Sequence, residues 1–281
     1  MQQDIFIKGD VYHKGELKKK NKLYQFMTLN LWGVLPSPLQ RGISNVYANV
    51  YNKKWTKHII KPYCKAHYSD PNYIEQFKSA RTGKDTFESF QDFFTRVYKD
   101  GPKITSKYVW ACEGLLCQYG LVADLPLISI KGDRRNIKAI FGKTEEDIPG
   151  AHYFSNIFLH NNNYHRIHSP VNGTITRVER IAGDLILLRP WVYKQPSTPA
   201  LRNERVNVDI VDEQGRKWYL SIVGGPAVGT IVMGRDMKVG TSLIPGKELA
   251  TFLLGSTCCI ACPEPMTIDK MGDTVYMGQT M

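Results

Sequence analysis

Between residues 206 and 222 apolar and polar side chains alternate in two matched stretches, Val206, Val208 and Ile210, then Trp218, Leu220 and Ile222, with Asp212-Glu213-Gln214-Gly215 between them. A period of two places every second side chain on one side of an extended backbone, and a glycine-containing break lets the chain reverse directly, so this stretch predicts an antiparallel hairpin. The same texture of short β-rich runs, punctuated by Gly, Pro, Asn and Asp, recurs at 108–111, 154–159, 173–178, 185–188, 229–233 and 251–260, all of it after Gly101-Pro102. Ahead of that boundary the period changes. Ile43, Val46, Tyr47, Val50 and Tyr51, continued by Trp55, Ile59 and Ile60, predict an amphipathic helix over 43–68, and Phe90, Phe93, Phe94 and Val97 predict a second over 87–98. The expected architecture is α+β, with a helical N-terminal region (1–100) packed on a mostly antiparallel β body (101–281).

Charge narrows the choice of partner. The 37 Lys and Arg against 26 Asp and Glu leave +11, which favours an anionic surface. The basic runs Lys18-Lys19-Lys20 with Lys22, Lys53-Lys54 with Lys57, and Arg134-Arg135 lie in no recognisable nucleic-acid module, so no nucleic-acid partner is expected. The first lysine run is followed by an uncharged stretch, 23–35, carrying Tyr24, Phe26, Met27, Leu31 and Trp32. That order suits attachment to an anionic membrane surface, and equally a core helix stopped by Pro36 and Pro38. The N-terminal residues lack a secretory pattern and no apolar run approaches the ~20 residues that span a bilayer, so the expectation is a cytoplasmic, peripheral protein. Six cysteines, Cys64, Cys112, Cys117, Cys258, Cys259 and Cys262, match neither a disulfide framework nor paired zinc knuckles, and are read as reduced core thiols with no metal.

Three segments carry groups able to cooperate chemically. In Asn163-Tyr164-His165-Arg166-Ile167-His168-Ser169-Pro170, two histidines three residues apart could reach one cavity and move protons near neutral pH, although such a pair is also a common surface or core feature. In Leu254-Gly255-Ser256-Thr257, set in an apolar strand, the serine hydroxyl can reach the carbonyl of the preceding glycine through a five-membered ring, an N-to-O acyl shift that needs a base and donors for the oxyanion. Packing alone would also account for a Gly-Ser step. In Ala111-Cys112-Glu113-Gly114, the carboxylate is either a turn acid or the group that orients a histidine.

Taken in order, these segments resemble the phosphatidylserine decarboxylases. The resemblance is carried by Phe90-Gln-Asp-Phe-Phe-Thr-Arg96, Tyr164-His-x-x-His168-Ser-Pro-x-x-Gly173, Gly183-Asp184-Leu185, Asn203-Glu204-Arg205-Val206, Val223-Gly-x-x-x-Val-Gly229, Gly246-Lys-Glu-Leu249 and Leu254-Gly-Ser-Thr257. It covers residues 87 to the C-terminus, with looser similarity back to about Ile43. It implies self-cleavage between Gly255 and Ser256 into a large and a small chain, with Ser256 becoming a covalent pyruvoyl group. It further implies that His168 is the base for the serine, Glu113 its acidic partner and His165 the residue assisting decarboxylation. A phospholipid substrate, phosphatidylserine, and a possible homodimer complete the expectation. Pyruvoyl chemistry needs no metal or nucleotide, since the carbonyl itself is the electron sink. The departures are Glu113 where the family has Asp, Asn163 before the Tyr-His pair where Asp is common, and no familiar Tyr after Gly132-Asp-Arg-Arg135. They leave open a free aromatic amino acid as substrate, or an uncleaved, non-catalytic lipid-binding homologue. The basic and aromatic N-terminal run weighs toward the lipid.

Overall fold

The computed structural model describes residues 23, 26–27, 31–32, 35 and 37–281, apart from 69, 71, 131, 145–146, 189–192, 194, 226–229, 254 and 269–271. The lysines at 18–20 and 22 lie outside the described residues. Two helices lead, α1 (Ser37–Tyr51) and α2 (Lys57–His67), followed by the short α3 (Phe90–Phe94). Eleven strands then build two antiparallel sheets: β1 (Gly114–Leu121), β2 (Tyr153–Leu159), β3 (Arg166–His168), β4 (Gly173–Ile181), β5 (Arg205–Asp212), β6 (Lys217–Val223), β7 (Ile231–Met233), β8 (Ser242–Leu243), β9 (Glu248–Phe252), β10 (Ser256–Cys262) and β11 (Thr274–Val275). Eight of them pair in the order β8-β4-β5-β6-β10-β2-β1-β11, and three in the order β7-β9-β3. The α+β expectation holds.

The β5–β6 hairpin forms in the register its alternation demands, with Ile210 opposite Trp218, Val208 opposite Leu220 and Val206 opposite Ile222. Its turn is tied by Asp212, whose Oδ1 accepts the amides of Gln214 and Arg216, and is closed by Gly215 at φ 77°. The alternate residues Asn207, Asp209, Tyr219 and Ser221 are buried too, because the sheet is covered on both faces. Leu220, Cys258 and Ile260 point into one core, Tyr219, Cys259 and Ala261 into the other, so the clustered cysteines are packing residues. All six cysteines are unpaired thiols.

Four expected elements differ here, three of them for a side-chain reason. The helix foreseen over 43–68 is broken after Tyr51, where the hydroxyl of buried Thr56 donates to the carbonyls of Tyr51 and Lys53 and accepts the amide of Phe90. The helix foreseen over 87–98 is only α3, capped by Ser89 at its start. Its end is taken over by Arg166, whose guanidinium bonds the carbonyls of Thr95 and Arg96, and Val97–Tyr98 turns extended to pair with Phe77–Lys78. The stretches 108–111 and 185–188 form no strand. Val109 makes a single bridge to Thr280, and both backbone groups of Ile186 are bonded by the side chain of Asn203 instead.

Candidate active site

The strand expected over 251–260 is two strands in two different sheets. The chain leaves the small sheet at Phe252 and enters the centre of the large one at Ser256, so the Gly255-Ser256 step sits at a junction, with Ser256 and Thr257 opening the second strand. Ser256 is fully buried at the first position of β10, opposite Leu159, and its hydroxyl has no hydrogen-bond partner among the described residues. A buried hydroxyl forgoes about 1–3 kcal/mol when unpaired; Ser155 and Ser221 of the same sheet share that condition, and what sets Ser256 apart from them is its place at the junction between the sheets.

His168 is the last residue of β3 and His165 directly precedes the strand, which pairs with β9 just upstream of the junction; the carbonyl of His165 accepts the amide of Phe252 at 2.9 Å. Their protonation follows from their partners. Nδ1 of His168 lies 2.7 Å from the carbonyl of Gly246, and Nδ1 of His165 lies 2.9 Å from that of Asn163. A carbonyl only accepts, so each Nδ1 carries the hydrogen and each Nε2 keeps its lone pair. The Nε2 of His168 meets the hydroxyl of Tyr164 at 3.2 Å, whereas that of His165 makes no hydrogen bond of good geometry among the described residues, the backbone of Leu159 acting on the ring only weakly. Burial drives both pKa values down, to about 4 for His168 and about 3 for His165, the carbonyl bonds opposing it only in part.

Glu113 stands elsewhere than against an imidazole. Its carboxylate accepts from the hydroxyl of Tyr73 at 3.0 and 3.1 Å, from the Asn163 amide at 2.9 Å, and from the backbone of Tyr164. Burial raises its pKa, with the Asn163 amide, the Arg96 charge and the Tyr73 hydroxyl pulling the other way. Glu113 therefore reaches His168 at one remove, by holding Asn163 and Tyr164, whose hydroxyl touches the His168 ring. Glu113 and Asn163, two of the three departures named above, are thus in direct contact.

Several residues that shape this site are absent from the expected set. Gln91 donates to the carbonyl of Leu253 at 2.9 Å, and the ring of Phe94 lies 3.9 Å from that of His165. Arg96, with no exposed surface, bonds the carbonyls of Asn162 and Asn163 at 3.0 Å each, between the rings of Phe77 and Phe93. The Phe90–Arg96 run thus braces both the junction and the histidine segment. Helical periodicity registered its phenylalanines; polar Gln91 and Arg96 inside so apolar a run were the available signal. Tyr73 lies in a stretch with no periodicity and gave none.

The neutral histidines bear on pH. Both folded pKa values lie below the ordinary 6.5, so the unfolded chain takes up more protons than the folded one as pH falls below 6.5. Their contribution to stability is complete above that value and is lost as pH drops through about 4 and about 3. Peptide cleavage that uses His168 as base is expected to keep a constant rate from pH 8 down to about 5. Time courses of cleavage across that range check it; an inflection near 6.5 would contradict the buried, neutral ring.

Fold and site define an α+β body with a Gly-Ser junction between two antiparallel sheets, its serine buried, and two uncharged histidines at the strand beside it. A family model described as phosphatidylserine decarboxylase matches residues 90–281, from the first residue of α3 to the C-terminus. The chain belongs to the phosphatidylserine decarboxylase family. It is similar to the phosphatidylserine decarboxylase proenzymes of Polaromonas naphthalenivorans (29% identical over 225 residues, 70% of this chain and 77% of that one) and Psychrobacter arcticus (27% over 266 residues, 86% and 94%). It is likewise similar to that of Pseudoalteromonas translucida (30% over 221 residues, 66% and 76%).

Proposed function

We propose that the chain is a proenzyme that cuts itself between Gly255 and Ser256 and then decarboxylates phosphatidylserine to phosphatidylethanolamine. The observation that carries this reading is the hydroxyl of Ser256, buried and unbonded at the junction between the sheets. In the cleavage, Ser256 Oγ adds to the carbonyl carbon of Gly255 while Nε2 of His168 takes its proton; the C–N bond then breaks and the freed amine is protonated, leaving an ester. Loss of the Ser256 Cα proton expels the Gly255 carboxylate, and water displaces the nitrogen as ammonia. Glu113 and Tyr164 hold the His168 segment in place for this.

Residue 256 suits a pyruvoyl group, since the unpartnered Nε2 of His165 and the unpartnered Oγ of Ser256 are both buried polar atoms left for a reaction to use. Such a group supplies a carbonyl that condenses with a substrate amine and accepts the electron pair released with CO₂. His165, neutral and with Nε2 free, is the residue to return a proton to the substrate carbon. The small chain stays in place after cleavage because β10 is paired on both sides, with β6 and β2.

A lipid substrate is supported by the helices. Leu39, Ile43, Val46 and Val50 form one exposed apolar stripe along α1, continued by exposed Trp55 and Ile59, with exposed Lys53, Lys54, Lys57, Lys61 and Lys65 beside them. Apolar stripe and basic rim together fit an anionic bilayer surface. Leu23, Phe26, Met27 and Leu31 of the earlier run are exposed as well. No described helix is long and apolar enough to cross a membrane. The test is CO₂ release from phosphatidylserine vesicles against free aromatic amino acids, with flotation of wild type and Val46→Asp/Val50→Asp on the same vesicles. Release from vesicles only, and loss of most bound protein in the variant, are expected; release from the free amino acids only would overturn the lipid assignment, and undiminished flotation the membrane surface.

A further inference from the structure

Two sequence motifs, Asn203-Glu204-Arg205 and Val223-Gly224-Gly225, take no part in the steps above, yet both bear on one atom, the carbonyl oxygen of Gly255. Asn203 is fully buried, and its side chain makes three bonds: Oδ1 accepts the amide of Ile186 at 3.0 Å, while Nδ2 donates to the carbonyls of Ile186 at 2.8 Å and Gly224 at 2.9 Å. The amide of Gly224 donates in turn to the carbonyl of Glu204 at 2.8 Å. The strap leaving β6 is thereby held at both backbone groups of Gly224.

The next residue runs against the junction. A Cβ built on Gly225 would stand 2.0 Å from the carbonyl oxygen of Gly255 and 3.0 Å from its carbonyl carbon. Both partners are backbone, so no side chain fits at 225 unless the strap or the Gly255 peptide moves. On the upstream side the same peptide is approached through Leu253, whose carbonyl accepts from Gln91 and whose amide donates to the carbonyl of Thr230 at 2.8 Å. The junction is held at Leu253 and bounded at Gly255.

We infer that Asn203 and Gly225 are positioning residues of the self-cleavage. Asn203 fixes the strap, and the bare backbone of Gly225 sets where the Gly255 carbonyl oxygen lies relative to Oγ of Ser256. This rests on the self-processing reading above. That oxygen gathers negative charge as Oγ adds to the carbon, and displacement by about 1 Å costs on the order of 10²-fold in such a step. Neither residue gives or takes a proton; each acts through the placement of the scissile peptide.

The test is a cell-free translation time course of the full chain, read by intact mass, for wild type, Gly225→Ala and Asn203→Asp, the last keeping size while losing the two donated bonds. Parallel samples with hydroxylamine, which splits esters and leaves amides, report whether the acyl shift has taken place. Folded Gly225→Ala is expected to divide on the order of 100-fold more slowly and to give no hydroxylamine fragment, and Asn203→Asp to divide at least about 10-fold more slowly. Division of folded Gly225→Ala within threefold of wild type, or build-up of its ester, overturns the inference. If Gly225→Ala does not fold by circular dichroism, Asn203→Asp decides: slowed division supports the inference and the wild-type rate overturns it. A wild-type chain that never divides overturns the processing reading itself, which is a different result from a dividing wild type beside undisturbed variants.

Discussion

His168→Gln is expected to accumulate as one uncut chain with no CO₂ release, whereas His165→Gln is expected to divide between Gly255 and Ser256 and then to release CO₂ roughly 10²- to 10⁴-fold more slowly than wild type. The split follows from how the two rings are held. Each donates its Nδ1 hydrogen to a carbonyl and keeps a lone pair on Nε2, and each is uncharged at neutral pH because it is buried. They differ in what surrounds Nε2. That of His168 meets Tyr164, which is anchored through its backbone to Glu113, so this ring belongs to a preset cluster suited to one internal reaction. That of His165 makes no hydrogen bond of good geometry among the described residues, as befits a group awaiting a substrate. Intact mass separates the two variants in one experiment. A cut His168→Gln chain, or an uncut His165→Gln chain, would exchange the assignments.

Arg96→Met is expected to lower the stability of the uncleaved Ser256→Ala chain by about 3–5 kcal/mol, read as a large drop in the urea midpoint. The Ser256→Ala background keeps the protein one chain, so unfolding is not confused with loss of the small one. Methionine preserves an apolar stem but takes one donor from each of the carbonyls of Asn162 and Asn163, leaving the Tyr68 hydroxyl on the first and the His165 ring on the second, and removes the Arg96 charge that holds down the pKa of buried Glu113. It also removes the charge lying over the faces of Phe77 and Phe93, 4.7 and 4.8 Å from the ring centres. An unchanged midpoint would mean that these bonds are replaced by water and that Arg96 braces nothing.

What could be read from the sequence was what repeats locally or stands in a fixed order. The β5–β6 hairpin was legible because its alternation covers two strands and the turn between them. Ser256 was legible because a hydroxyl directly after glycine has few neighbours to react with, and because the segments around it stand in the order that the phosphatidylserine decarboxylases share. What escaped was set by side chains bonding backbone far away. Thr56 ends a helix by bonding Tyr51 and Lys53 while receiving Phe90, and Asn203 occupies the backbone of Ile186 so that no strand forms there. Neither leaves a periodic trace. The break between β9 and β10 was hidden for a similar reason, since both halves are apolar and only the tertiary fold sends them to different sheets. Glu113 was identified as a site residue but with an imidazole as its expected partner; the partners it has, Tyr73 and Asn163, come from segments 40 residues before it and 50 after it.

The central claim is that Ser256 turns its own backbone bond into a new chain end, and intact mass under denaturing conditions reports this directly. Two products are expected, residues 1–255 ending in a free carboxylate and residues 256–281 lighter by one ammonia than a serine-headed peptide. A single species at 32.0 kDa, with Ser256 still in peptide linkage to Gly255 after prolonged incubation of folded protein, would contradict it.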